Sequence, residues 1–280
     1  MTGTTSSTLA PLHVAHANGI VFATLNRPAR RNALSDDLVA ALDAECERAA
    51  GDDTVRAFVL RGAGGVFCAG GDFGGFSAMM REPAPAGEPD PIAASNRRFG
   101  ALLDKLAALP MPTLAVVEGA AAGGGCGLAA ACDRVLIASD AYLSIPETSL
   151  GLPPAQIAPF IVARAGAARG RWLMLTGRRL SAADALHACL VDEIAGADGI
   201  DRLLRSELAR VLACEPAAQR ATKRIVATAL RRERGAVLDA AAGEFAAALR
   251  SGAVAEGLAA LSGKRLPHWA SDAPAPPEAQ

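Results

Sequence analysis

Apolar and polar residues alternate along the first segment of the chain, from residue 12 to residue 25, and the alternation is interrupted at Asn18-Gly19. An Asn-Gly pair between two alternating segments is typical of the two-residue turn of a β-hairpin. Ser35 is a suitable helix cap, and the apolar residues that follow it recur at helical spacing as far as Gly51. The pattern therefore predicts a β-hairpin followed by an amphipathic helix.

Three short apolar runs follow, each of a length typical of a buried strand. They are Val55 to Leu60, Thr113 to Val117 and Arg134 to Ala138, and helical patterns lie between them near residues 95–109 and 124–131. Strands that are apolar throughout, separated by helices, are typical of parallel sheets covered on both faces. This order of elements predicts the α/β class.

The last third of the chain has a different pattern. Beyond Gly196 the strand patterns end, and apolar residues recur at helical spacing as far as residue 261. We therefore expect an α/β core over residues 1–195, a helical C-terminal layer over 196–268 and a disordered tail over 269–280. The segment from Glu82 to Pro91 has four prolines in ten residues and is predicted to be an exposed or mobile loop.

Composition excludes several classes of protein. The chain has 28 basic and 29 acidic residues, so a strongly basic nucleic-acid-binding surface is not expected. Glu118 and a cluster of glycines interrupt the most apolar stretch, from Pro112 to Cys132, which argues against a membrane span. Six cysteines without a CxxC pair or a metal-ligand spacing predict reduced thiols, no metal site and a cytoplasmic location.

Two glycine-rich segments, residues 61–72 and 118–127, each follow a predicted strand. Neither fits the dinucleotide fingerprint, because the sixth position is Phe67 in one and Leu128 in the other, and neither has the Gly-Lys-Ser/Thr ending of a phosphate loop. Glycines at such junctions can instead expose backbone N–H groups to a ligand, and two converging N–H groups form an oxyanion hole. The alternative is close packing of a Gly/Ala helix on the sheet.

Several short motifs occur in order along the chain. They are Asn26-Arg27-Pro28, Arg31-Asn32-Ala33-Leu34, Phe67-Cys68-Ala69-Gly70-Gly71-Asp72, Gly123-Gly124-Gly125-Cys126, Cys132-Asp133, Ile145-Pro146-Glu147 and Leu150-Gly151-Leu152. As a set they resemble the crotonase superfamily of enoyl-CoA hydratases and isomerases. The resemblance covers about residues 19 to 265 and includes the stretch from Gly177 to Glu193, which is similar to a helix pair of that family.

This resemblance implies a spiral of ββα units with a helical C-terminal trimerisation layer, in a homotrimer or a dimer of trimers. It implies an acyl-CoA substrate whose thioester oxygen lies between the backbone N–H groups of Gly71 and Gly124. Glu147 would face the α and β carbons as a general acid or base. Coenzyme A would arrive as part of the substrate, with no permanently bound cofactor.

The resemblance also suggests which residues contact coenzyme A. Arg27 and Arg31 follow the second predicted strand, where the family presents basic side chains to the CoA phosphates, although a solvated turn is the alternative. Ala69 and Asp72 flank the first oxyanion glycine. Lys264 could reach the CoA of a neighbouring subunit.

One position departs from the pattern of the hydratases, which usually have a second glutamate where this chain has Gly127. A single glutamate is sufficient for double-bond isomerisation. However, the segment from Gly151 to Phe160 is similar to hydratases of branched glutaconyl-type CoA esters. We therefore expect a hydratase, with an isomerase as the alternative and an acyl-CoA-binding protein without turnover as the non-enzymatic one. If the chain is a hydratase, Gly127→Glu should preserve or improve hydration.

Overall fold

The computed structural model describes residues 10–72, 90–196, 199–229 and 234–277. Within these ranges the chain forms nine β-strands. Their bounds are β1 Leu12–Ala17, β2 Ile20–Leu25, β3 Ala57–Gly62, β4 Thr113–Val117, β5 Ala120–Ala122, β6 Arg134–Ala138, β7 Tyr142–Ser144, β8 Arg179–Ser181 and β9 Glu193–Ala195.

Ten α-helices connect and follow these strands in the same ranges. They are α1 Asp36–Gly51, α2 Pro91–Ala107, α3 Gly124–Ala131, α4 Ala158–Ala165, α5 Ala167–Thr176, α6 Ala182–His187, α7 Ile200–Ala213, α8 Pro216–Ala229, α9 Arg234–Arg250 and α10 Ala253–Ser262. Short 3-10 helices occupy Pro28–Arg30, Ala63–Gly65 and Glu147–Leu150.

The strands form two sheets. The larger sheet has the order β1-β2-β3-β4-β6-β9, in which only the β1–β2 hairpin is antiparallel. The smaller sheet has the order β5-β7-β8, with β5 and β7 parallel and β8 antiparallel to β7. The predicted hairpin and the three predicted buried strands are thus present, and the α/β class is confirmed.

The larger sheet is buried on both faces, which explains why its strands are apolar without interruption. In β2, Val21 and Ala23 face one hydrophobic cluster, while Ile20 and Phe22 face the other. Because successive side chains of a strand point to opposite faces, β3, β4 and β6 contribute to both clusters in the same way.

Helix α7 covers the second face of this sheet. Its residues Ile200, Leu204, Leu208 and Leu212 recur every four positions and pack in the same cluster as Ile20 and Phe22 of β2. The helical pattern predicted beyond Gly196 is confirmed, and its first helix shares a core with the sheet. The three-part division of the chain stays a prediction.

The segment after residue 268 makes specific contacts. Trp269 donates its indole N–H to the carbonyl of Ala213, and its own carbonyl accepts from Arg56. Ala273 packs against the second cluster. The prediction was a disordered tail over residues 269–280. Trp269 and Ala273 instead pack against the rest of the chain, beyond the predicted boundary at residue 268.

Side-chain caps determine where the helices begin. Ser35 accepts a hydrogen bond from the N–H of Leu38 and caps α1, as expected. Asp90 caps α2 by accepting from Ile92, and Pro91 occupies the first turn. The predicted end of the loop at residue 91 is therefore wrong, since Asp90 and Pro91 begin a helix. The rest of the predicted loop, residues 82–89, lies outside the described part of the chain.

The stretch from Gly177 to Glu193 is not a helix pair. It contains strand β8, the single helix α6 and the start of β9. Ser181 and Asp184 form a reciprocal capping box at the start of α6, which ends β8 sharply. Only one turn and a half of helix fits between these two strands.

Candidate active site

The two glycine-rich segments run side by side. Cys68 and Ala121 form a parallel bridge, in which the Cys68 N–H donates to the Ala120 carbonyl and the Ala122 N–H donates to the Cys68 carbonyl, both at 2.9 Å. Gly71 and Gly124 each lie three residues beyond this bridge. The bridge therefore brings the two expected oxyanion glycines to the same end of the paired segments.

The Gly71 N–H points away from Leu34, the residue that Gly71 pairs with. Leu34 forms a parallel bridge with Gly71, and the bonds that make it run from the Leu34 N–H to the Gly70 carbonyl and from the Asp72 N–H to the Leu34 carbonyl. In this pattern the bonds use residues 70 and 72, so the N–H of Gly71 faces the opposite side. Gly71 is thus able to donate to a ligand.

Gly124 is the first residue of α3. The first four N–H groups of a helix lack acceptors within the helix, and they carry the positive end of its dipole. A Cβ at Gly124 would lie 2.6 Å from Leu34 Cδ1 and 3.2 Å from Phe99 Cζ. A larger residue would press on these two apolar side chains, and the N–H of Gly124 lies at a helix start beside them.

Glu147 lies next to this helix start, in the short 3-10 helix that follows β7. Gly123 has a φ of 51°, and a Cβ there would lie 2.8 Å from Glu147 Oε1. The absent side chain therefore makes room for the carboxylate, one residue before Gly124. The structure thus places Glu147 beside the start of α3, and a site shared by Gly71, Gly124 and Glu147 stays a prediction.

The surroundings of Glu147 favour its protonated form. Its Oε2 is buried and has no hydrogen-bond partner in the described part of the protein. Burial raises the pKa of the Glu147 carboxyl above its ordinary value, because removal from water disfavours the charged form. A carboxyl whose pKa is raised by burial holds its proton more readily than a solvated one, which suits a residue that accepts and returns a proton.

The space beside Gly127 is filled by apolar side chains. A Cβ at this position would collide with Cγ2 of Ile157 and would lie 3.3 Å from Cδ1 of Leu103. A glutamate here would have to displace the side chain of a buried isoleucine. The expectation that Gly127→Glu preserves or improves hydration is therefore at odds with the packing.

Arg27 and Asp72, both expected at coenzyme A, form an ion pair with each other at 3.0 Å. Arg27 also donates to the carbonyl of Ala33, and the N–H of Ala69 donates to the carbonyl of Arg31. These contacts hold the loop after β2 against the first glycine segment. In the described structure Arg27 thus aligns the segment that contains Gly71.

Asn32 is a buried polar residue whose role sequence reasoning missed. Its side-chain amide donates to the carbonyls of Ala63 and Val66 and accepts from the N–H of Arg27. Its φ of 54° lies in the left-handed region that asparagine tolerates better than most residues. In the sequence, an asparagine within an otherwise basic turn could have indicated this structural role.

Arg31 remains exposed and lies in a cationic cluster. Its Nη2 is 3.4 Å from the hydroxyl of Tyr142, and the guanidinium of Arg179 stacks 3.4 Å above the ring of the same tyrosine. Lys264 lies just after α10, where its N–H donates to the carbonyl of Leu261. No hydrogen bond or ion pair between described residues connects Lys264 to the glycine segments.

The described ranges contain no group of three or more histidine, cysteine, aspartate or glutamate residues arranged to hold a metal ion. In the same ranges, no helix has the length and apolar character needed to cross a bilayer. All six cysteines are free thiols.

Comparison with known proteins identifies the family. The family model described as enoyl-CoA hydratase/isomerase matches residues 15–272. The chain belongs to the enoyl-CoA hydratase/isomerase family. The resemblance noted in the sequence is therefore confirmed, and so is the expectation of an enzyme.

Individual family members show the same relationship. The chain is 36% identical to a 1,2-epoxyphenylacetyl-CoA isomerase of Escherichia coli, over 71% of this chain and 74% of the relative. It is 32% identical to a probable enoyl-CoA hydratase of Mycobacterium bovis, over 88% and 92%. A crystal structure of an enoyl-CoA hydratase/isomerase from Marinobacter aquaeolei has a TM-score of 0.89 at 38% identity, covering 93% of this chain and 99% of that one. The crotonase fold is therefore confirmed.

Proposed function

We propose that the protein is an enoyl-CoA hydratase, which adds water to the double bond of a 2-enoyl-CoA thioester. The observation that carries the proposal is the position of Glu147, whose half-buried carboxyl lies against Gly123, beside the first N–H group of α3. The names of relatives support a CoA thioester as the substrate class, since they include a 1,2-epoxyphenylacetyl-CoA isomerase and a probable enoyl-CoA hydratase.

In the proposed reaction the water oxygen bonds to the β carbon while Glu147 takes one proton from the water. The electron pair of the double bond moves toward the thioester, whose oxygen becomes negative. The N–H groups of Gly71 and Gly124 stabilise that oxygen more strongly as the charge forms, which lowers the barrier. Glu147 then returns its proton to the α carbon, so that the product is a 3-hydroxyacyl-CoA.

Isomerisation of a 3-enoyl ester to a 2-enoyl ester is the second candidate. The observation that favours it is the apolar filling beside Gly127, where Ile157 and Leu103 leave no space for a second carboxylate. In this reaction Glu147 would move a proton from the α carbon to the γ carbon through the same enolate. No water molecule takes part.

A panel of enoyl-CoA esters distinguishes the two candidates. Short, long, branched and carboxylated 2-enoyl and 3-enoyl esters are assayed for hydration and for isomerisation. A hydratase converts at least one 2-enoyl ester to its 3-hydroxy product faster than it shifts the matching 3-enoyl ester. The reverse order selects the isomerase, and no turnover of any ester selects a protein that only binds acyl-CoA.

We propose that coenzyme A enters as part of the substrate and that its phosphates bind beside the loop after β2. Arg31 supports this, because its side chain is exposed and lies in a cationic cluster with Arg179. Ala69 and Asp72 are proposed to line the pantetheine path next to Gly71. Lys264 is proposed to contact the CoA of a neighbouring copy, and the cytoplasmic location also stays a prediction.

The exposed apolar residues of the last two helices support a homotrimer or a dimer of trimers. Side chains in α9, α10 and the turn beyond them are largely exposed, and they include Leu238, Phe245, Leu249, Leu258, Leu261 and Leu266. A surface this apolar is typical of contact with another protein chain. We propose that copies of this chain cover it.

A further inference from the structure

Two glycines inside helices make room for two consecutive side chains of the loop before α4. Gly100 lies in the interior of α2, and a Cβ there would collide with the amide of Gln156, whose Cδ would be 2.7 Å away. Gly127 of α3 makes room for Ile157 in the same way. Glycine inside a helix is less stable than alanine, because it loses more backbone freedom on folding. The amide of Gln156 therefore occupies a place that alanine at residue 100 would close.

The Gln156 amide contacts α2, the helix whose neighbouring residues reach the candidate site. Phe99, the residue before Gly100, approaches the Cβ position of Gly124 at 3.2 Å. Leu103, one helical turn after Gly100, approaches the Cβ position of Gly127 at 3.3 Å. Gln156 therefore contacts α2 between the residue that reaches the oxyanion glycine and the residue that reaches Gly127.

The amide is held at one end and has hydrogen-bonding capacity to spare. Gln156 is half-buried, and its Nε2 donates to Oδ1 of Asn96, one turn earlier in α2, at 3.0 Å. A glutamine amide has two N–H donors and a carbonyl oxygen. No other described residue hydrogen-bonds to the Gln156 amide. A second donor and an acceptor are thus available to a small molecule such as water.

We propose that Gln156 is a positioning residue, which orients the water molecule that adds to the β carbon. The inference rests on the proposed hydratase function. Ile157 fills the space where a carboxylate at residue 127 would begin, so an uncharged amide one residue earlier takes over the orientation of the water. Glu147 accepts and returns the proton, and Gln156 keeps its protonation state throughout.

The test compares two activities of Gln156→Met, which keeps the length of the side chain and removes its hydrogen bonds. The first is hydration of the best 2-enoyl ester, measured as kcat and KM. The second is exchange of the α-protons of the matching saturated ester in D2O, which needs Glu147 and the oxyanion hole but no added water. We expect the hydration kcat to fall about 10- to 100-fold, since small misplacements of a reacting group have effects of this order. KM and the exchange rate should change less than about threefold, well below that loss.

Gly100→Ala provides an independent variant, because it displaces the amide by steric contact and leaves Gln156 in the sequence. It should show the same selective loss of hydration. Gly51→Ala is the matched control, since Gly51 ends α1 with nothing within 4 Å of its Cβ position. This control should hydrate at the wild-type rate.

The possible results separate this inference from the function on which it rests. Unchanged hydration in both Gln156→Met and Gly100→Ala overturns the inference alone. An equal loss of hydration and exchange shows a merely structural role and also overturns it. A wild-type enzyme that exchanges α-protons but hydrates no ester overturns the proposed hydratase, and the inference falls with it.

Discussion

Glu147 combines two properties that a proton-transferring residue needs. Its carboxyl is close enough to Gly123 that a methyl group at that position would touch it, so its location relative to the start of α3 is fixed. Its Oε2 is buried without a partner in the described residues, which leaves it available to a substrate proton. The sequence could indicate this glutamate only through the family resemblance, since a loop glutamate is usually solvated.

Glu147→Gln should lower turnover by about 10²- to 10⁴-fold, because it removes proton transfer while preserving the size of the side chain. The melting temperature should change little. Steady-state kinetics and thermal unfolding of the same preparation measure both. Turnover equal to the wild type would exclude Glu147 as the acid or base.

The raised pKa of Glu147 also predicts how this residue contributes to stability with pH. Burial raises the folded-state pKa above the unfolded value, so the folded protein binds the proton more tightly. The contribution to the free energy of unfolding is therefore fully present below the unfolded pKa and is lost as pH rises through the folded pKa. A glutamine at position 147 does not titrate, so its contribution to the free energy of unfolding does not change with pH. The stability of Glu147→Gln relative to wild type should thus increase from pH 4 to pH 7, as denaturant unfolding at several pH values can measure; a constant difference would contradict this.

At the scale of elements, strand pairing directs the N–H of Gly71. The Leu34 bridge uses residues 70 and 72, and the Cys68–Ala121 bridge places the segment beside the start of α3. Neither bridge is visible as a run of strand residues in the sequence. The glycine motif can therefore be found in the sequence, but the direction of its N–H requires the three-dimensional pairing.

Gly71→Pro deletes this N–H. Loss of one oxyanion donor typically lowers kcat about 10²- to 10³-fold, so turnover should fall by at least this factor. Binding of a saturated acyl-CoA should weaken much less, because the charge on the oxygen forms only during the reaction. Kinetics and calorimetric binding provide the two measurements. If affinity falls as far as turnover does, the glycine has a structural role only.

Packing between α2, α3 and the loop before α4 makes a second prediction at this scale. Gly127→Glu should reduce the free energy of unfolding by about 1–3 kcal/mol, the usual effect of overpacking a filled core. Denaturant unfolding measures the change, with Gly51→Glu as the control at an open helix position. If Gly127→Glu leaves the free energy of unfolding unchanged, then Ile157 and Leu103 can move aside.

Sequence patterns predicted long elements better than short ones. The hairpin, α1 and the strands β4 and β6 were readable because each has a clear period or a continuous apolar run. Strands β5, β7 and β8 have three residues each, too few for a period to be evident. Contacts between residues that are distant in the sequence could not be predicted from it either. Examples are the Arg27–Asp72 ion pair and the contact of Ile157 with Gly127.

At the scale of the whole molecule, the two hydrophobic clusters differ in what covers them. The first includes α1, α2 and α3 and carries the site, and the second is closed by α7. Helices α9 and α10 add little to either cluster, and among their described side chains Ala260 is the buried one. Seventeen-residue α9 therefore needs another surface if its apolar side chains are to leave water.

This imbalance leads to a prediction about assembly. Phe245 and Leu261 are 68% and 77% exposed, and burying such side chains contributes about 1.5–3 kcal/mol each. A symmetric trimer would bury these side chains in every subunit. Light scattering at micromolar concentration should therefore give a mass of about three or six times 28.4 kDa. Phe245→Asp should shift the distribution toward monomer, because a carboxylate resists desolvation. Ala50→Asp, which adds the same charge on the exposed face of α1, should leave the mass unchanged. A wild-type mass of 28.4 kDa would overturn the proposed trimer, and with it the contact proposed between Lys264 and the coenzyme A of a neighbouring copy.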